Sequence, residues 1–164
     1  MKKLALDIGN VLCKVDQDLF IRRVSEKMNI SLAQSARFMK RFWELHDIGY
    51  TTIQDELTDK FGVKSEIIMH DLLETWNNVV IPDTTAIRII NGLVKSDNIQ
   101  VAFLSNMGVE HMKSMEHKLA PLYDNALKHF SCEVGARKPS KLFYQSFLMQ
   151  HPEFKGALYI DDLQ

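Results

Sequence analysis

The sequence predicts an α/β protein, with a parallel sheet as its core and a block of helices inserted after the first strand. Three observations lead there. Short apolar runs recur at 3–7 (KLALD), 100–105 (QVAFLS), 128–131 (KHFS) and 157–161 (ALYID). All but the third, which is short and mixed, are almost continuously apolar, as strands covered on both faces are. Helical patterns fill the intervals, and this alternation marks a Rossmann-like parallel sheet. The intervals are unequal: residues 8–99 separate the first two runs, whereas a crossover between parallel strands needs a single helix. Residues 16–80 therefore read as a helical cap, and 1–15 together with 81–164 as the α/β core.

Composition sets the outer bounds. At 164 residues the chain has room for one sizeable core and a small insertion. A net charge of -1 gives no bulk field for nucleic acid or a membrane surface. No stretch approaches the roughly 18 apolar residues of a membrane span. The opening MKKLAL imitates a signal peptide, but Asp7 interrupts it too early. Cys13 and Cys132 fit no metal-binding spacing, so a reducing, cytoplasmic setting is expected.

Within the insertion, SLAQ (31–34) and TTIQ (51–54) resemble capping boxes, a hydroxyl N-cap with Gln three residues on. Trp43 and Trp76 read as packing residues of the cap. Asp83 can cap a helix to about Lys95, with Ile87, Ile90 and Leu93 on one face. Pro139 suits the first turn of a helix over 140–150.

The apolar runs end at residues with chemical potential: the first at Asp7, the second at Ser105-Asn106, the fourth at Asp161-Asp162. In an open parallel sheet all carboxyl ends lie along one edge, where ligands bind, so these distant residues are expected to be neighbours. Lys138, just before Pro139, adds a cation. A lysine, a hydroxyl, an amide and a bound Mg²⁺ would make a phosphate pocket.

The ordered set LALDIGNVL, VAFLSN, GARKPS and LYIDD resembles the four motifs of the haloacid dehalogenase (HAD)-like hydrolase superfamily. With D-x-G-N-V first and a helical cap next, it is most similar to bacterial sugar-phosphate phosphatases of that superfamily. The resemblance implies that Asp7 is the nucleophile, attacking phosphorus to form an aspartyl-phosphate that water hydrolyses. It implies that Ser105 and the backbone N–H groups near Asn10 and Asn106 hold the transferring oxygens. Lys138 would stabilise both the phosphoryl charge and Asp7. Mg²⁺ would sit on Asp7, the Gly9 carbonyl and Asp162, with Asp161 as outer support. The implied substrate is a small phosphorylated metabolite, with no nucleic acid or membrane partner.

Gly9 departs from the family pattern, because such phosphatases usually carry a second aspartate there as general acid and base. Glycine supplies no proton. Residues 44–52 (ELHDIGYTT) contain His46 and Asp47, which read either as surface residues at a helix end or as the one nearby cluster able to move protons. The remaining histidines show no ligand pattern such as H-E-x-x-H. Cys13 reads as an ordinary half-buried thiol.

Two other functions stay open. One is a 2-haloacid dehalogenase, whose relatives also lack the second aspartate; the Asp161-Asp162 pair argues against it. The other is a catalytically weak or inactive HAD-like binding protein. The resemblance further implies a helix, a strand and a helix after Asp162, so the chain reads as truncated at Gln164. The run 157–161 would then be an exposed apolar edge, giving either a homodimer joined there or a marginal monomer with weak Mg²⁺ affinity.

Overall fold

The computed structural model describes residues 1–162. Strand β1 (Lys2–Leu6) leads into β2 (Cys13–Val15), and helices α1 (Gln17–Met28), α2 (Leu32–Asp47), α3 (Ile53–Phe61) and α4 (Glu66–Asn78) follow. The chain returns through β3 (Val80–Pro82) and α5 (Thr84–Asp97) to β4 (Ile99–Ser105). Then come α6 (Val109–Lys118), α7 (Leu122–Asn125), β5 (Leu127–Phe130), α8 (Ser131–Val134), α9 (Lys141–Gln150), a 3₁₀ turn and β6 (Leu158–Ile160). The main sheet is parallel with order β5-β4-β1-β6, so β1 is central. β6 lies at the edge among the described residues, with Leu158 and Ile160 exposed. Gln164, where the sequence reading placed a truncation, lies outside the described residues. Among those residues no helix is long and apolar enough to cross a membrane.

Side chains alternate across β1. Leu4 and Leu6 join Val101, Phe103 and Phe130 on one face, in a cluster that continues through Leu12, Phe20, Phe42, Leu72 and Trp76 into the inserted helices. Ala5 faces the other way with Ala102 and Leu104, and these receive Phe143 and Phe147 of α9. Small residues on that face let the aromatic rings approach the sheet closely. The phenylalanines are four apart, hence on one side of their helix.

The strand and helix expectations hold in outline, with corrections. The β2–β3 pair is an antiparallel ribbon at the two ends of the α1–α4 insertion, and the sequence reading missed it. Ser31 and Gln34 form the expected capping box. The second cap is Thr52, not Thr51: its hydroxyl accepts from the Asp55 N–H. Asp83 caps α5 as expected, accepting from Thr85 and Ala86. The packed face of α5, however, is Ala86, Ile87, Ile90 and Val94, while Leu93 is 40% exposed. Pro139 precedes α9, whose N-cap is Ser140.

Candidate active site

Strand register brings the site together. Leu6 pairs with Phe103 on one side and Ile160 on the other, so β1 and β6 end level and release Asp7 and Asp161, while β4 runs two residues further and ends at Ser105 on the same edge. The Asp7 N–H still donates to the Ile160 carbonyl at 2.9 Å, which holds Asp7 in the strand direction. Its carboxylate is buried. The Ile8 N–H donates to Oδ1 at 2.7 Å, Lys138 Nζ lies 2.9 Å from Oδ2, and the Ser105 hydroxyl also donates to the carboxylate. Burial pushes the Asp7 carboxyl above the usual range, against the opposing pull of Lys138, Ser105 and Ile8.

Lys138 is itself buried, and it bridges Asp7 to Asp161 Oδ2 at 2.8 Å and to the Tyr159 hydroxyl at 3.1 Å. Tyr159 also donates to Asp161. Burial, with the hydrogen bond to Asp161 next, raises the phenol, which therefore stays a donor. Asn106 fixes the backbone of Lys138 with both ends of its amide: the Lys138 N–H donates to Oδ1 at 2.7 Å, and Nδ2 donates to the Lys138 carbonyl at 3.1 Å. Asn106 thus aims the lysine.

Asn10 also differs from expectation. Its backbone N–H donates to the Cys13 carbonyl at 2.6 Å, and the Val11 N–H to Ile8 at 3.3 Å, so neither is turned to a ligand. Asn10 adopts φ 53°, a left-handed turn that Asn tolerates better than most residues. Its side chain accepts from the Val15 N–H at 3.3 Å and donates to Asp162 Oδ2 at 2.9 Å. The D-x-G-N turn therefore orients Asp162.

The carboxylates of Asp7, Asp161 and Asp162 offer one oxygen each within 4.8 Å of one another. Asp7 and Asp162 border a cleft of about 200 Å³ lined also by Gly9, Asn10, Ser105, Asn106 and Lys138 on one side. Val15, Gln17, Trp43, Asp47 and Arg137 complete it. Trp43 thus belongs to the site wall as well as to the cap packing, where its ring meets Trp76 edge-on at 4.9 Å. A separate hollow bordered by Phe38, Phe42 and Phe61 is largely apolar and holds none of these groups.

His46 and Asp47 are not surface residues: they are 1% and 2% exposed. They diverge. His46 Nε2 turns away to Glu110 at 2.8 Å, and Glu110 also accepts from the Ile53 N–H. Burial raises the Glu110 carboxyl, but His46 and Ile53 outweigh it and leave it lowered. Asp47 faces the cleft. Two glycines make this approach possible. A Cβ on Gly49, at φ +73°, would lie 2.6 Å from the Cys132 carbonyl oxygen, and a Cβ on Gly108 would lie 1.9 Å from the His46 ring. Gly108→Ala is expected to displace His46 and cost about 1–3 kcal/mol in urea denaturation, with His46→Ala recovering part of the loss.

The other predicted neutral residues behave as structure. Cys13 is fully buried rather than half-buried, and burial pushes its thiol up to about 12. His111 stacks on Trp76 and bonds the Trp76 carbonyl at 3.0 Å; burial pushes it down to about 4, so it stays neutral.

No family model and no curated protein matches the sequence. Solved structures do. A HAD family enzyme from Bacteroides thetaiotaomicron is 19% identical with a TM-score of 0.83, over all of this chain and 85% of that one. In its complex with magnesium and inorganic phosphate the TM-score is 0.80, at 19% identity over all of this chain and 86% of that one. A predicted HAD-like family hydrolase from Porphyromonas gingivalis gives 0.77 at 17% identity, over 99% of this chain and 82% of that one. An L-2-haloacid dehalogenase from Xanthobacter autotrophicus, with chloropropionic acid covalently bound, gives 0.52 at 13% identity over 92% and 64%. The fold is HAD-like.

Proposed function

We propose that this chain is a Mg²⁺-dependent phosphatase that hydrolyses a small phosphorylated metabolite, with a sugar phosphate as the favoured class, through an aspartyl-phosphate on Asp7. One observation carries the reading: a buried carboxylate at the centre of the sheet is clamped by Lys138 and Ser105, with two further carboxylates in reach of a shared cation. Asp7, Asp161 and Asp162 stand against only Arg137 and Lys138 around the site. That balance repels a phosphate dianion unless a divalent cation joins it. Hard carboxylate oxygens on a small, partly open cleft suit Mg²⁺. Asp7 and Asp162 would hold the ion with the Gly9 carbonyl, and Asp161, tied to Lys138 and Tyr159, would support them. When bound, it neutralises charge on the phosphoryl oxygens. The magnesium and phosphate held by the Bacteroides enzyme support the same reading.

The residues then divide the work. Asp7 Oδ attacks phosphorus while Lys138 and Ser105 hold it in place. Asn106 aims Lys138, and Asn10 aims Asp162. A haloacid substrate would gain nothing from Asp161 and Asp162, which only add repulsion to a metal-free site. Cys13 and Cys132 are free thiols, which suits the inferred cytoplasmic setting.

Release of nitrophenolate from p-nitrophenyl phosphate, with Mg²⁺ and with EDTA, tests the proposal, followed by a panel of sugar phosphates. Turnover is expected only with Mg²⁺; equal turnover in EDTA, or none in either, sinks it. Mg²⁺ alone is also expected to stabilise the fold, by about 2.7 kcal/mol at a hundredfold excess over its Kd. A melting temperature unmoved by millimolar Mg²⁺ contradicts the metal assignment.

A further inference from the structure

We propose that Asp47, reaching into the cleft from the C-terminal end of α2, is the proton donor and acceptor that the D-x-G-N motif lacks at Gly9. The inference rests on the phosphatase reading above and adds to it a residue from the helical insertion.

The placement of Asp47 is built. Its backbone carbonyl accepts the Ser131 hydroxyl at the start of α8, and Ser131 in turn accepts the Met107 N–H at 2.8 Å. On one flank Gly49 sits against the Cys132 carbonyl; on the other His46 is locked between Gly108 and Glu110. The last turn of α2 is thereby stapled to the sheet edge that carries Asp7.

The side chain so delivered is poorly satisfied. Asp47 Oδ2 is buried and makes no hydrogen bond; its ion-pair partner, Arg137 Nη2, stands 3.5 Å away. A buried carboxylate oxygen without a donor is costly, and a fold that keeps one invites a functional explanation. Protonation relieves the cost. Burial pushes the Asp47 carboxyl up to about 6, with Asp7 adding to the rise and Arg137, His46 and Lys138 opposing it. The groups facing it are thus Arg137 and Lys138 from the segment before α9, Asp7 just after β1 and His46 from its own helix, with the Cys132 thiol of α8 also sensing its charge. Two carboxyl groups share the cleft with unequal support: Asp7 has Lys138, Ser105 and the Ile8 N–H to favour its anion, whereas Asp47 Oδ2 has only a distant ion pair, a contrast that divides the roles of nucleophile and acid.

The proton ledger closes. Asp7 Oδ bonds to phosphorus as the ester P–O bond breaks, and the departing oxygen takes the proton of Asp47. Asp47, now a carboxylate, takes a proton from water as the water oxygen bonds to phosphorus and the P–O bond to Asp7 breaks. Hydrogen phosphate leaves, and both carboxyl groups are restored.

The test compares Asp47→Asn with wild type on p-nitrophenyl phosphate, whose leaving group needs no proton, and on a simple alkyl phosphate without other hydroxyls. The expected result is a fall in kcat/KM of about 10²–10³-fold for the alkyl ester and less than about 5-fold for the aryl ester. A burst of nitrophenolate should appear as the phosphoenzyme accumulates. Adding Gly9→Asp should restore part of the alkyl rate, because a Cβ at Gly9 meets only Val15 Cγ2 at 3.5 Å. The melting temperature of Asp47→Asn should match or exceed wild type. Equal losses on both esters without a burst, or no loss on either, overturn the proposal; so does a melting temperature lowered by several degrees, which marks a structural role. If the variant does not fold, wild type decides: the alkyl-to-aryl ratio of kcat/KM, corrected for substrate ionisation, should fall as pH rises through about 6, and a flat ratio overturns the proposal. Wild type inactive on both esters with Mg²⁺ defeats the phosphatase reading and this inference with it, whereas an active wild type with an indifferent Asp47→Asn defeats this inference alone.

Discussion

Asp7→Asn should reduce phosphate release to background, a loss on the order of 10⁴ or more, the scale on which removal of a nucleophile acts. The amide keeps the size of the carboxylate and can still accept the Ile8 N–H, now 2.7 Å from Oδ1. It cannot act as a nucleophile toward phosphorus under these conditions. Stability should change little. The substitution takes a buried negative charge out of the sheet edge, relieving the desolvation that raises the Asp7 carboxyl, while Lys138 keeps Asp161 at 2.8 Å. The two measurements separate the roles: urea denaturation within about 1 kcal/mol of wild type alongside absent turnover places Asp7 in the chemistry. Steady-state turnover near wild type from the folded variant removes it.

The site was legible where strands deliver it and illegible where tertiary contacts do. Asp7, Ser105 and Asp161 could be placed together because each ends an apolar run, and parallel strands in one sheet end on one edge. Lys138 followed from the cation that such an edge needs. The roles of Asn10 and Asn106 were only half readable, since which amide atom meets which partner depends on a left-handed turn at Asn10 and on the path of the chain into Lys138. The β2–β3 ribbon left no trace because three residues are too few to show a period. Thr51 and Thr52 are adjacent hydroxyls, so the cap could be misplaced by one; Asp55, accepting the Thr52 hydroxyl at 2.6 Å, settles it. Asp47 was readable only as one of two alternatives, a surface residue or half of a proton-moving cluster with His46. H-D-x-G reads as an ordinary helix end, and only the docking of that end on Ser131, Cys132 and Gly108 turns it into a buried wall of the cleft. A glycine inside a turn carries no signal of what it lets approach.

Lys138→Met tests what holds that edge together. The Lys138 side chain is 3% exposed, and its ammonium stands between side chains that are 9% and 12% exposed, Asp7 at 2.9 Å and Asp161 at 2.8 Å. Methionine replaces the stem without the charge, leaving two carboxylates facing each other away from bulk water. Removing one member of a buried ionic cluster typically costs about 3–5 kcal/mol, and a loss of that size is expected in urea denaturation at pH 7 in EDTA. Its pH dependence has a definite sign. Without the lysine the folded-state carboxyls lie above their unfolded values, so the folded state binds more protons, and stability falls as pH rises from about 4. The deficit should therefore nearly vanish in acid and be full at neutrality. Millimolar Mg²⁺ supplies charge to the same oxygens and should recover at least half of it, although turnover stays lost because the cation that holds Asp7 and the phosphoryl group is gone. A variant as stable as wild type in EDTA at pH 7 would mean that the carboxylates shed their repulsion by taking up a proton. A deficit indifferent to Mg²⁺ would mean that Asp7, Asp161 and Asp162, though within 4.8 Å, do not share an ion.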